Sequence, residues 1–208
     1  MLGEKLIVGL TGQTGAGKST VSTVLRRYEL DVINCDVEAH NIIAQEPCLG
    51  ALVDRFGPEI LDEEGKLNRP ALSEIVFNNA DELSALNEIT HPRIVQYLLE
   101  IAETSYFDIV VFDAPTLIES GLDQHCDLVA VITAEEKLRV QWIQKRSGLT
   151  HKQALVRVQA QPPESFYVNR ANLVLANTGK LDALVVKAEH LAAYLQNYFQ
   201  RKRGAADG

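Results

Sequence analysis

The segment GQTGAGKS at residues 12–19 constrains what this chain can fold into more than any other feature. It fits the pattern G-x-x-x-x-G-K-[ST], and it has the neighbours the pattern requires. Before it, KLIVGLT (residues 5–11) is a short apolar run with β-branched members, which predicts a buried strand. After it, TVSTVLRRY (residues 20–28) puts Val21, Val24, Leu25 and Tyr28 on one helical face. A glycine-rich turn between a strand and a helix lets backbone N–H groups converge on an anion at the positive end of the helix. In this reading Gly12, Thr14, Gly15, Ala16, Gly17, Lys18, Ser19 and Thr20 cradle the phosphates of a nucleotide. Lys18 is expected to bridge the β- and γ-phosphates, and the Ser19 hydroxyl to reach Mg²⁺, a cation that prefers oxygen ligands. The pattern leaves open which nucleotide binds, and whether the phosphoryl group passes to water or to another acceptor.

The remaining chain extends this unit. DVINC (31–35) predicts a second strand, so the start of the chain reads strand–helix–strand and favours a parallel sheet with a right-handed crossover. Further strands are predicted at 107–112 (FDIVVF), 128–133 (LVAVIT) and 173–175 (LVL). Residues 181–199 form an amphipathic helix ending in Arg201, Lys202 and Arg203, with the terminal GAADG as a frayed end. Between strands two and three, helical patterns are broken by Pro47, Gly57-Pro58, Arg69-Pro70 and His91-Pro92, with Pro70 and Pro92 expected at helix starts. That stretch is too long for a crossover helix and reads as an insertion.

The predicted fold class is α/β, three layers around a parallel central sheet, with a helical insertion and a helical cover on a P-loop core. All of it forms one domain: a core at about 1–35, 105–136 and 171–203, the insertion at about 36–104 and the lid at about 137–170. A length of 208 residues suits one or two domains.

Charge is unevenly spread. Twenty Lys and Arg against 28 Asp and Glu give −8, which argues against a nucleic-acid or anionic-membrane binder. Residues 36–104 carry 14 acids and 4 bases, whereas residues 137–170 carry 7 bases and 1 acid. The basic segment suits an anionic ligand, although a solvated helical face accounts for it equally well. LVAVITA (128–134), among the longest uncharged apolar runs, is far short of a membrane span. MLGEKLIVGLTG carries Glu4 and reaches glycine too soon for a signal peptide. Cys35, Cys48 and Cys126 are odd in number and lack metal-ligand spacing, so reduced thiols and a cytoplasmic protein are expected. Oligomeric state is not encoded legibly; a monomer or weak homo-oligomer is the expectation.

Two acids follow predicted strands. Asp36 lies just after strand two, at the carboxyl edge where open α/β sheets bind ligands. There it can accept or orient a hydroxyl proton, or cap the helix VEAHNII. Asp113 ends DIVVFD and can hold Mg²⁺ directly or through water, or simply shape the turn at Pro115. No N-K-x-D segment occurs, which excludes a base-reading GTPase switch. A kinase for a small molecule, with the insertion as acceptor site and the basic segment as cover against water, fits the pieces.

Several segments together resemble the dephospho-coenzyme A kinase family: LTGQTGAGKSTV, VINCDVEAH, THPRI, FDAPTLIESGLD, KLRVQWIQKRSGLTHKQALVRVQAQ and LVLANTG, from residue 6 to about 180. The phosphate loop is generic to many kinases, whereas H-P-x-[IV] and P-x-L-x-E in this order are far more specific. The resemblance implies phosphoryl transfer from ATP to the ribose 3′-hydroxyl of dephospho-coenzyme A, with Mg²⁺. It implies that Asp36 is the base or hydroxyl-orienting group and that Arg146, with Arg157 as the weaker candidate, meets ATP phosphates. Asn177 and Gly179 would form the adenine-contacting turn, and His91, Pro115, Leu117 and Glu119 would line the acceptor side. Another small-metabolite or nucleoside monophosphate kinase is the alternative. The chain departs from the family pattern at Asn34, where an acid is usual, and at His40, Thr116 and Asn172.

Overall fold

Seven consecutive buried residues, Leu6–Gly12, form β1 in the middle of a five-stranded parallel sheet. A strand covered on both faces needs an unbroken apolar run rather than alternation, and LIVGLTG supplies it. The structure is a computed structural model that describes residues 5–77 and 79–206. Glu4 and the last two residues of GAADG therefore lie outside the described residues. The chain forms two units, one running through residue 34 and resuming at Ala102, the other Cys35–Ile101.

In the first unit, β1 leads into α1 (Lys18–Leu25) and then β2 (Asp31–Asn34). After the second unit come β3 (Ile109–Asp113), β4 (Leu128–Thr133), α6 (Glu136–Ser147), α7 (His151–Gln159), α8 (Glu164–Val168), β5 (Leu173–Ala176) and α9 (Leu181–Ala206). The strand order is β2-β3-β1-β4-β5 and every pair is parallel. The chain reverses its winding at β1, so the loop after β1 opens at the carboxyl edge where ligands bind in such sheets. Leu6, Val8 and Leu10 of β1, with Val111, Ala130 and Ile132 beside them, face Val21 and Leu25 of α1 and Leu184, Ala188 and Leu195 of α9. On the other face, Leu117 is fully buried and fits where a Cβ on Gly9 would stand 2.5 Å from its Cδ2.

The second unit contains α2 (Cys35–Ile43), α3 (Cys48–Phe56), α4 (Arg69–Phe77) and most of α5 (Ala80–Thr104). Its core joins Leu52 and Phe56 of α3, Ile60, and Leu72 and Val76 of α4, flanked by Leu86 and Ile89 of α5.

Pro70 stands in the first turn of α4, but Pro92 is inside α5 rather than at its start. The start signal lies upstream: Asn79 Oδ1 accepts from the N–H groups of Asp81, 3.1 Å, and Glu82, 3.2 Å. Helix on both sides then carries the chain past a proline that removes one backbone donor. At the other end, α9 runs on through Gly204 to Ala206 and is not frayed after Arg203. Strand two ends one residue early, with Cys35 already helical.

Candidate active site

The phosphate loop takes its shape from close contacts that only glycine allows. Gly17 has φ +110°, and a Cβ on it would stand 2.8 Å from Asn177 Nδ2 and from Leu184 Cδ2. Asn177 repays that closeness: its Nδ2 donates to Ala16 O, 2.9 Å, while its Oδ1 accepts from Gly179 N, 3.1 Å. The turn after β5 is thus clamped to the loop after β1, and both line one cleft of about 610 Å³. Residues 12–20 form its floor, with Pro115, Asn177 and Gly179 along the rim.

Helices α6 and α7 supply the opposite wall. Arg146 at the end of α6 and Arg157 on α7 are exposed, and both line the cleft. Two guanidinium groups beside a loop of backbone donors make a local field suited to a polyphosphate, within a chain that is acidic as a whole. Trp142, Ile143, Gln161, Leu181 and Leu184 complete the lining. Trp142, Ile143 and Gln161 lie in the segment KLRVQWIQKRSGLTHKQALVRVQAQ that resembles the family, but the sequence singles out none of the five as a site residue. Trp142 is half-buried and comes within 4.0 Å of a Cβ built on Gly179. Gln161 Oε1 accepts from Thr14 N, 2.6 Å, and Gln13 Nε2 donates to Pro162 O, 2.9 Å, so the end of the basic segment is fastened to the loop.

Lys18 does not reach into open space; its Nζ donates to Asp113 Oδ1. Asp113 closes β3 next to β1, is 6% exposed, and also accepts from Ser22 Oγ, 2.6 Å. Arg26 Nη2 stands 4.0 Å from its other oxygen. Asp113 is therefore a buried carboxylate held by a cation and a hydroxyl, and it does not line the cleft. Ser19 is exposed and does line it. Among the described residues no three His, Cys, Asp or Glu side chains form a metal cluster. The Ser19 hydroxyl in the cleft is an oxygen donor of the kind Mg²⁺ takes together with nucleotide phosphates, whereas Asp113 fits that role once it releases Lys18.

The expected acceptor residues belong to both units. Pro115 lines the phosphate-loop cleft itself, and its carbonyl accepts from Thr11 Oγ1, 3.2 Å. Leu117 has no exposed surface and belongs to the core, so the expectation that it lines a site is corrected: Gly9 makes room for it inside. Glu119 is exposed and accepts from Tyr167 Oη, 2.8 Å. Burial, and then that hydrogen bond to Glu119, push the Tyr167 hydroxyl well above its ordinary range. In the second unit, Asp36 is exposed in the first turn of α2 and His91 is half-buried within α5. His40 Nδ1 donates back to Asp36 O, 2.5 Å, and its own carbonyl accepts from Arg69 Nη2, 2.6 Å. Asn172 exchanges bonds with Val129 through its side chain, 2.7 Å, and its N–H, 2.9 Å, which is where an amide suits the sheet.

With this geometry in hand, comparison with known proteins is decisive: the sequence model of the family described as dephospho-CoA kinase matches residues 6–183. The chain belongs to the dephospho-CoA kinase family. It is 36% identical over 192 residues to the dephospho-CoA kinase of Corynebacterium efficiens, covering 90% of this chain and 96% of that protein. Among solved structures, TT1252 from Thermus thermophilus superposes with a TM-score of 0.77 at 32% identity, covering 92% and 98% of the two chains. The dephospho-CoA kinase from Campylobacter jejuni superposes with a TM-score of 0.62 at 25% identity, again over 92% and 98%. The three-layer α/β architecture is accordingly that of a P-loop kinase, and a dephospho-CoA kinase family member uses ATP as co-substrate.

Proposed function

We infer that this protein transfers the γ-phosphoryl group of ATP to the ribose 3′-hydroxyl of dephospho-coenzyme A, giving coenzyme A and ADP. The observation that carries this reading is a single cleft in which the phosphate loop, Arg146 and Arg157 converge, in a chain matched to the family over residues 6–183. The bond from the γ-phosphorus to the β,γ-bridging oxygen breaks, and a bond to the 3′-oxygen forms. The hydroxyl's proton passes to Asp36 or to water that Asp36 orients. Support for Asp36 comes from its place in the chain, two residues beyond Asn34, whose register partner on β3 is Asp113. Backbone N–H groups of the loop and Lys18 hold the phosphates, and Arg146 and Arg157 offset the charge on the transferring group. For Lys18 to do so it must exchange Asp113 for phosphate oxygens. Ser19 and Asp113 would hold Mg²⁺, which when bound neutralises phosphate charge and orients the donor. Trp142 packs against the donor base, beside the Asn177–Gly179 turn. His91 and Glu119 bind the acceptor.

The reaction suits a small-molecule enzyme of the cytoplasm, and among the described residues no helix is long and apolar enough to cross a membrane. The test supplies Mg·ATP with dephospho-coenzyme A, AMP, CMP or shikimate and follows ADP release. ADP formation dependent on dephospho-coenzyme A is the expected result. Turnover of a different acceptor alone would make the protein another small-molecule kinase, and tight ATP binding without turnover would make it a nucleotide-binding regulator.

A further inference from the structure

Beside the cleft, in a second cavity that shares Gln13 and Gln161 with it, α6 carries a charged side chain that the reaction above leaves without a role. Arg139 is 5% exposed, and its Nε and Nη1 are buried without a hydrogen-bond partner. Gln13, the second residue of the loop, is 6% exposed and buries its Oε1 without a partner. Donors lacking an acceptor and an acceptor lacking a donor thus line the same cavity of about 320 Å³. An unsatisfied buried polar atom is destabilising, more so when charged, so two complementary orphans sharing one polar cavity call for a connection.

A bound anion does not supply it. Glu135, Glu136 and Glu164 line this cavity too, and a further negative charge would face three carboxylates for one guanidinium. Water suits the place, since it can accept from Arg139 and donate to Gln13, and the space is polar and roomy enough for it.

We propose that Arg139 is a positioning residue for the phosphate loop, holding the Gln13 amide through bridging water and so fixing the loop's fastening to residues 161–162. The path is short. Gln13 Nε2 donates to Pro162 O and Thr14 N to Gln161 Oε1, so the orientation of the Gln13 amide and the direction of a loop N–H are set together. Helix α6 also packs on the loop: a Cβ on Gly15 would stand 3.0 Å from the backbone Arg139 O and 3.1 Å from the side-chain Ile143 Cγ1. Burial holds the guanidinium below its ordinary range, and Glu136, Glu164 and Tyr167 draw it back toward its charged form. Arg139 touches no phosphate; it acts through Gln13.

The inference rests on the loop binding donor phosphates, and its test needs no acceptor. ADP affinity is measured by calorimetry for Arg139→Met, Gln13→Leu and the double variant, with Arg139→Lys as the conservative replacement and melting temperature as the control. Each single variant should weaken ADP about tenfold, the scale of one lost charge-assisted hydrogen bond. The double variant should be no weaker than the worse single, and Arg139→Lys should recover most of the loss. Multiplying effects in the double variant would overturn the proposal, as would a lower melting temperature in Arg139→Met with ADP affinity unchanged. If Arg139→Met does not fold, the cycle is run with Arg139→Gln, whose side chain keeps the cavity polar, under the same criteria. Because acceptor specificity is read separately in the turnover assay, either idea can fail while the other stands.

Discussion

Lys18 and Asp113 hold each other at the carboxyl edge of the sheet, and this pair sets what substitution of either does. Removing the lysine takes away a cation aimed at the transferring phosphoryl group and leaves a nearly buried carboxylate with Ser22 as its close partner. Lys18→Ala should therefore lower turnover about 100- to 1,000-fold, the usual cost of one donor aimed at developing charge, with some loss of melting temperature. A variant that kept more than a tenth of wild-type turnover would place Lys18 outside the chemistry. Asp36 is a different case, because its exposed side chain has little to do with stability. Asp36→Asn keeps the shape and removes the basic oxygen, so turnover should fall about 100-fold or more while the melting temperature stays put. Full turnover by Asp36→Asn in the same ADP-release assay would leave the carboxylate as ordinary helix-start chemistry.

In the proposed donor site, helix α6 would meet both ends of the nucleotide. Trp142 and Arg146 are four residues apart, hence on one face, and both line the cleft. The chain has a single tryptophan, so its intrinsic emission reports this wall alone. Titration with ATP should quench or shift that emission saturably, whereas inorganic triphosphate, which lacks the base, should leave it almost unchanged. Equal responses to both would mean that the base sits elsewhere. This wall also marks where reading the sequence stops. The loop was legible because its geometry is local: glycine spacing, an adjoining strand and the following helix all lie within 20 residues. Arg146 and Arg157 were found through a family pattern, but Trp142, Gln161 and the buried Arg139 gain meaning only when α6 and the residues after α7 fold beneath the loop. Leu117 misled for the opposite reason, since a motif position says nothing of the vacant Cβ at Gly9 that draws it inside. Pro92 misled because proline marks a helix start only where no cap precedes it, and Asn79 does.

At the scale of the whole molecule, buried groups that resist ionisation make stability depend on pH in a predictable direction. Cys126 Sγ lies under the sheet, near Gly9, and donates to Leu122 O, 3.5 Å. Burial, with Asp123 and Asp127 nearby, pushes its thiol up to about 12. Tyr167, fully buried and bonded to Glu119, is raised as well. Both groups are neutral when protonated, and the folded state holds their protons more tightly than the unfolded chain, where a thiol titrates near about 8.5 and a phenol near about 10. Their contribution is thus complete below about pH 8.5 and is lost progressively as pH rises toward 12, where the unfolded chain gains by releasing protons that the fold retains. Melting temperature should accordingly be flat from neutral pH to about 8.5 and then fall steadily. Cys126→Ala, which removes one of the retained protons, should fall less steeply over pH 9–11, even if it starts lower from the lost sulfur packing. Parallel curves for the two proteins across that range would show that the thiol titrates in the fold much as it does in the unfolded chain, and would remove Cys126 from the account of alkaline unfolding.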